Sequence, residues 1–217
     1  MSGITAAVAG ATGLVGGLLL KRLLDDPEVA RVIAPTRRPL PAHPKLVNPA
    51  FDGQSWPAPP PLDEAYGCLG TTRKTAGSDE AFRAVDLGLT RAFAKSAKAA
   101  GAKRFGLVSS IGADARSRFL YPRTKGEAEA AVSGMGFESV SIVRPSFLVG
   151  ERSESRPGEK LGIALFQAAR PLLVGPLRRW RAVRAVDVAA SLIAATRGRV
   201  PGTLVLESDA IAGATIQ

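Results

Sequence analysis

One cysteine, Cys68, and one histidine, His43, are all that this 217-residue chain has of either type. An intrachain disulfide is thereby excluded, and neither residue has the companions a metal cluster requires. Cys68 reads as a small buried strand residue rather than a nucleophile, because no candidate base accompanies it. His43 stands alone in a proline-rich stretch, so metal catalysis drops out. Also missing is any uninterrupted apolar run near the roughly 20 residues of a membrane span. The apolar N-terminus has no basic segment ahead of it and is broken by glycines, unlike a secretory signal. These absences set the expectation of a cytoplasmic protein.

Acid is in short supply as well. Nineteen Asp and Glu face 29 Lys and Arg, a formal charge of +10. Such a charge draws any polyanion, but the basic residues are dispersed and no nucleic-acid motif accompanies them, so no nucleic-acid partner is expected. Apolar residues at 46% and charged residues at 22% describe an ordinary folded chain. The length suits one domain, residues 1–217, with 145–217 contributing the substrate side.

What is present is regular alternation. Residues 4–9 read as a strand, 10–16 as a glycine turn and 14–24 as an apolar helix halted by Asp25-Asp26-Pro27. A second strand over 29–34 ends at Pro35-Thr36-Arg37-Arg38, and a short third over 45–47 precedes a loop over 48–62 rich in proline. The pattern then predicts a strand over 65–69, a long helix over 78–100 and a buried strand over 103–109. A helix over 122–132, a strand over 139–144, helices near 161–169 and over 186–196, and a strand over 203–206 follow. This order predicts the α/β class: a doubly wound parallel sheet with a small C-terminal substrate-side segment. Ligands of such sheets lie beyond the carboxyl ends of the strands, at the switch point of the topology.

The candidate site residues fall on those ends. Gly10-Ala11-Thr12-Gly13-Leu14-Val15-Gly16 has the spacing in which Gly10 makes the tight turn, Gly13 lets backbone approach a pyrophosphate and Gly16 lets helix pack on strand. The helix N-terminus behind it favours phosphate. After the second strand an acid would suit the ribose 2′-hydroxyl of NAD; Arg37 and Arg38 stand there instead and suit the 2′-phosphate of NADP. NADP(H) is therefore the expected cofactor, with NAD(H) the alternative. Asp52 reads equally as an acceptor for the adenine amino group and as half of an Asp-Gly turn. Tyr121 and Lys125 are four apart at a helix start, so both can share one face and form a proton-transfer pair. Ser109 and Ser110, after the fifth strand, offer hydroxyls for a carbonyl oxygen.

The turn at Gly10 to Gly16, Cys68-Leu69-Gly70-Thr71-Thr72, Val108-Ser109-Ser110-Ile111-Gly112-Ala113 and Tyr121-Pro122-Arg123-Thr124-Lys125-Gly126-Glu127 together resemble the atypical short-chain dehydrogenase/reductases, which have the NAD(P)-binding Rossmann fold. Within them the likeness is to the Tat-interacting-protein oxidoreductase-like branch and runs over nearly the whole chain. The resemblance implies a Ser, Tyr, Lys active site: Tyr121 transfers the proton, Lys125 assists and holds the nicotinamide ribose, and Ser109 or Ser110 orients the carbonyl. It also implies that Leu69, Gly70, Thr71 and Thr72 line the cofactor. The segment Arg144-Pro145-Ser146-Phe147-Leu148-Val149-Gly150 resembles the family stretch that meets the nicotinamide carboxamide, which brings in Pro145 and Ser146. Residues 151–160 read as a loop over the substrate or as plain surface.

Two functional readings follow. One is an NADP(H)-dependent oxidoreductase acting on a small carbonyl or alcohol. The other is a non-catalytic NADP(H) sensor that acts through a protein partner. A third, sugar-nucleotide epimerase or dehydratase, shares the chemistry but usually needs a larger C-terminal domain. Arg178-Arg179-Trp180-Arg181 reads as a basic rim of the cleft. A small-molecule substrate, no nucleic acid, no membrane span, and a monomer or homodimer complete the expectations.

Overall fold

The first strand, β1 (Ile4–Ala9), is buried on both sides: Ala6 and Val8 belong to one apolar cluster, Ala7 and Ala9 to the other. Burial on both faces is why its apolar run is continuous, as in parallel sheets covered by helices above and below. The structure is a computed structural model that describes residues 3–149, 179–198 and 200–211.

After β1 come α1 (Leu14–Asp25), β2 (Val29–Ile33), β3 (Leu46–Val47), β4 (Glu64–Gly67), α2 (Arg73–Ala76) and α3 (Asp79–Arg83). A π-helical turn (Ala84–Leu89) leads into α4 (Thr90–Ala99), then β5 (Arg104–Val108), α5 (Leu120–Ser133) and β6 (Ser139–Arg144). The short β7 (Leu148–Val149) and β8 (Val183–Arg184), α6 (Ala185–Arg197) and β9 (Gly202–Glu207) follow.

Seven strands form one sheet in the order β3-β2-β1-β4-β5-β6-β9, and every pairing is parallel. The chain runs outward from β1 to β3, then crosses back to β4. The segments leaving β1 and β4 therefore diverge and open a crevice between them. On one face, Leu19 and Leu23 of α1 and Val188 and Leu192 of α6 pack with Val8 and Val143. On the other, Phe93 and Ala97 of α4 and Val132 of α5 cover Ala7, Phe105 and Ile142.

The doubly wound parallel sheet is as the sequence predicts, with instructive differences. The expected helix over 78–100 starts as predicted, Ser78 Oγ accepting from the Ala81 N–H, but is interrupted by the π turn, which periodicity alone does not reveal. The helix expected from Pro122 begins two residues earlier, placing Pro122 in the first turn, where its missing N–H costs nothing. Neither α2 nor the two-residue pair β7–β8 is visible as a pattern, because both are shorter than any period. The expected helix near 161–169 and loop over 151–160 lie outside the described residues.

Candidate active site

The turn after β1 is built by glycine. Gly10 has φ +83°, and a Cβ there would sit 2.5 Å from the Cys68 carbonyl oxygen. One on Gly16 would sit 2.1 Å from the Gly10 carbonyl oxygen. Both exclude a side chain, so the turn presses against the end of β4 and α1 starts close to the sheet. Gly13 is the N-cap of α1 and provides no side-chain cap. The first N–H groups of the helix are left facing the crevice, the arrangement that binds phosphate.

The crevice is a cleft of about 470 Å³. Gly10, Thr12 and Gly13 form its floor, Leu69, Gly70 and Thr71 one wall, and Arg37, Phe51 and Trp56 the other. Phe51 and Trp56 stack at 4.0 Å with planes 5° apart, and the Trp56 indole N–H donates to the Leu89 carbonyl at 3.0 Å. This apolar wall was not read from the sequence; two aromatics flanking the Asp-Gly turn were the available signal.

Other expected residues stand differently. Arg37 is exposed and lines the cleft; Arg38 is exposed beside it but is not among the lining residues. Asp52 Oδ1 accepts from the Gln54 and Ser55 N–H groups, both at 2.7 Å, the geometry of the turn reading. Those bonds hold its carboxyl below the usual carboxylate range. Leu14, Val15 and Gly16 belong to α1 behind the floor. Thr72 caps α2, its Oγ1 accepting from the Thr75 N–H at 3.1 Å. Cys68 is half-buried at the back of the cleft, and desolvation pushes its thiol up to about 12, which suits its reading as inert packing.

The chemistry-bearing residues meet where the π turn lies along α5. Phe82, fully buried, stacks on the Tyr121 ring at 5.7 Å. Arg83 pairs with Glu127 at 2.7 Å, and Asp86 Oδ1 lies 2.6 Å from Lys125 Nζ. The other Asp86 oxygen accepts the Thr71 N–H at 2.9 Å. Asp86 is buried at 1% exposure and Lys125 at 7%. A Cβ on Gly70 would lie 3.8 Å from Lys125 Nζ and 3.9 Å from Asp86 Oδ1, so the ion pair sits directly behind a wall of the cleft. Tyr121, one turn before Lys125, is 41% exposed at the mouth of α5. Asp86 is the principal residue that sequence reading missed; an acid on the buried period of Phe82, Thr90 and Phe93 was its signal.

The two serines separate by environment. Ser109 is buried, and its hydroxyl donates to Glu129 Oε1 of α5 in a short contact. Glu129 is gripped by Arg144 at 3.0 and 2.6 Å, and Arg144 reaches Glu207 at 2.8 Å. Hydrogen bonds donated to Glu129, and then to Glu207, keep the Arg144 guanidinium charged well beyond its ordinary range. Ser110 is half-buried, and among the described residues its hydroxyl makes a long 3.4 Å contact to the Ile111 carbonyl. Pro145 accepts the Ile111 N–H at 3.0 Å, which ties the serine turn to the end of β6. The Ser146 hydroxyl bonds the Arg181 carbonyl, linking that end to residues before β8. Arg179 and Trp180 are exposed there, and Arg178 lies outside the described residues. Among the described residues, no group of His, Cys, Asp and Glu is placed to hold a metal ion, and no helix is long and apolar enough to cross a membrane.

A glycine-floored cleft at the switch point of a seven-stranded parallel sheet defines an NAD(P)-binding fold of Rossmann type. Comparison with known proteins narrows this. The chain is 41% identical over 167 residues to the mitochondrial protein fmp52 of Aspergillus clavatus, covering 70% of each chain. It is 38% identical over 175 residues to the rat protein HTATIP2, covering 73% of this chain and 69% of that one. An FMP52 protein of Coccidioides immitis matches over 219 residues at 35% identity, 92% of this chain and 88% of that one. The chain belongs to this family, the Tat-interacting-protein-like branch of the atypical short-chain dehydrogenase/reductases. No family model matches it.

Solved structures agree on the fold. Human epimerase family protein SDR39U1, determined with NADPH, superimposes with a TM-score of 0.65 at 19% identity, covering 94% of this chain and 74% of that one. MoeE5, determined with UDP-glucose and NAD, gives 0.69 at 22%, covering 93% and 75%. The relatives also correct one expectation. The FMP52 proteins are named mitochondrial, which overturns the cytoplasmic location inferred from missing signals; internal composition carries no such address.

Proposed function

We propose that this chain is an NADP(H)-dependent oxidoreductase acting on a small carbonyl or alcohol. The observation that carries the reading is the buried Asp86–Lys125 pair set behind Gly70 and Thr71, which delivers an ammonium group to the edge of the cleft. An ion pair buried this deeply is costly to maintain, and such costs concentrate at working sites. The cleft suits the dinucleotide: open N–H groups on its floor for the pyrophosphate, an aromatic wall for a base, and Arg37 at the rim for a 2′-phosphate. When bound, the nicotinamide supplies or accepts the hydride.

The chain's own groups do the rest. The Tyr121 hydroxyl, at the exposed start of α5, exchanges the proton with the substrate oxygen. Lys125, anchored by Asp86, holds its ammonium one helical turn away on the same face. Ser110 is the hydroxyl that steadies the substrate oxygen, because Ser109 is committed to Glu129. Pro145 and Ser146 form the edge on which residues 145–217 contribute the substrate side.

The alternative of a cofactor sensor without turnover predicts a different result in one experiment. Tyr121→Phe keeps the helix and the Phe82 stack. On the enzyme reading it lowers NADPH-dependent carbonyl turnover by about 10²-fold or more while NADPH binding is retained. Unchanged turnover in a carbonyl screen overturns the reading.

A further inference from the structure

Exposed arginines discriminate poorly unless something holds them in place. Arg37 and Arg38 are both exposed, on a turn leaving β2, and a long side chain ordered only on binding loses affinity to entropy. The backbone beneath them is nevertheless fixed, and one residue fixes it. Asn48, just after β3, donates through Nδ2 to the Ala34 carbonyl at 2.6 Å and to Thr36 Oγ1 at 2.8 Å. Its Oδ1 accepts the Leu40 N–H at 2.8 Å.

Both amide protons and the carbonyl oxygen are thus used, and they grip the turn at two points before the arginine pair and one after it. Thr36 passes the grip on: with its oxygen accepting from Asn48, its hydroxyl donates to the Arg38 carbonyl at 2.6 Å. Neighbours of Asn48 bind the Thr36 backbone as well, the Pro49 carbonyl accepting its N–H at 3.2 Å and the Phe51 N–H donating to its carbonyl at 3.1 Å. The Arg37 stem passes 3.9 Å from the place a Gly53 Cβ would take. Asn48 is not among the cleft's lining residues.

We infer that Asn48 is a specificity-determining residue that acts through the Arg37-Arg38 turn: it pre-orders the turn for the 2′-phosphate and so sets the preference for NADPH over NADH. The inference rests on the proposed selection of NADP(H) by that turn. Because the amide is not among the cleft's lining residues, its removal deletes no direct contact with either cofactor. Only the phosphate, which NADH lacks, senses the turn's order.

The test is titration calorimetry of the full chain with NADPH and NADH, for wild type, Asn48→Leu, Arg37→Ala/Arg38→Ala and the triple variant. Asn48→Leu is expected to weaken NADPH by about tenfold with NADH within about twofold, and to have no further effect in the double-alanine background. Retained NADH affinity shows that the cleft is folded; should Asn48→Leu fail to fold, Asn48→Ser removes the same bonds without adding bulk. Equal weakening of both cofactors, or a loss of NADPH affinity that persists without the arginines, overturns the inference. A wild type that prefers NADPH with Asn48→Leu unchanged sinks the inference alone. A wild type that binds both equally, or neither, sinks the cofactor reading first and the inference with it.

Discussion

Lys125 and Asp86 show how a single missed residue changes the reading of a site. The spacing of Tyr121 and Lys125 identifies a pair on one helix face, but not what keeps an ammonium group stable at 7% exposure. Asp86, drawn from a helix some forty positions earlier, does so while also receiving the Thr71 N–H. Removing one partner of a buried pair strands the other charge, at a cost of about 3–5 kcal/mol. Asp86→Leu should therefore lower unfolding free energy by about that amount in urea titration. Asp86→Asn, which retains an acceptor for Thr71, should cost less than Asp86→Leu. Equal, small losses from both substitutions would show that the ion pair does not support the fold.

At the scale of elements, β1, α1 and the strand-helix alternation of a parallel sheet were legible because the longer strands are apolar runs closed by Gly, Pro or a polar turn. The glycine floor was legible too, since Gly10 and Gly16 are demanded by contacts within one strand-turn-helix unit. What could not be read are contacts between distant elements: Trp56 on Leu89, and Ser109 on Glu129. A π turn is equally hidden, because one extra residue shifts the helical face without breaking its pattern. The Glu129–Arg144–Glu207 chain is the clearest case, joining α5, β6 and β9 through side chains that sequence leaves unrelated. Arg144→Met should strand Glu129, buried at 6% exposure, and cost about 3–5 kcal/mol. It should also free Ser109 from its fixed acceptor geometry. Denaturant midpoints check the first effect. If Arg144→Met unfolds at the wild-type midpoint, the network is ornament rather than support.

Across the whole molecule the two ends of the sheet are specialised. Carboxyl ends of the strands carry the cleft, and the amino ends carry a charge cluster in which Glu64, fully buried, meets Arg197 at 2.9 Å and Arg104 at 3.3 Å. The Tyr66 hydroxyl donates to Glu64 at 2.9 Å, and desolvation drives that phenol well above its ordinary value. Arg197 also reaches Asp26 at 2.5 Å, so the end of α6 is tied to the end of α1 and to β4 at once. For Asp26, burial opposes the charge, yet hydrogen bonds from Arg197 and the Glu28 N–H outweigh it and hold the carboxyl below its ordinary 3.8. An acid whose value is depressed by folding adds stability that is present above the unfolded value and is lost as pH falls through the folded one. The chain already carries +10 at neutral pH, so protonating its few carboxylates also adds self-repulsion. The stability gap between wild type and Asp26→Asn should therefore be full from neutral pH down to about pH 4 and close as the solution is made more acid. Urea midpoints for both proteins across that range measure it; a gap that holds steady or widens in acid would mean that Asp26 is not held charged by Arg197, and that this end of the sheet is closed by packing alone.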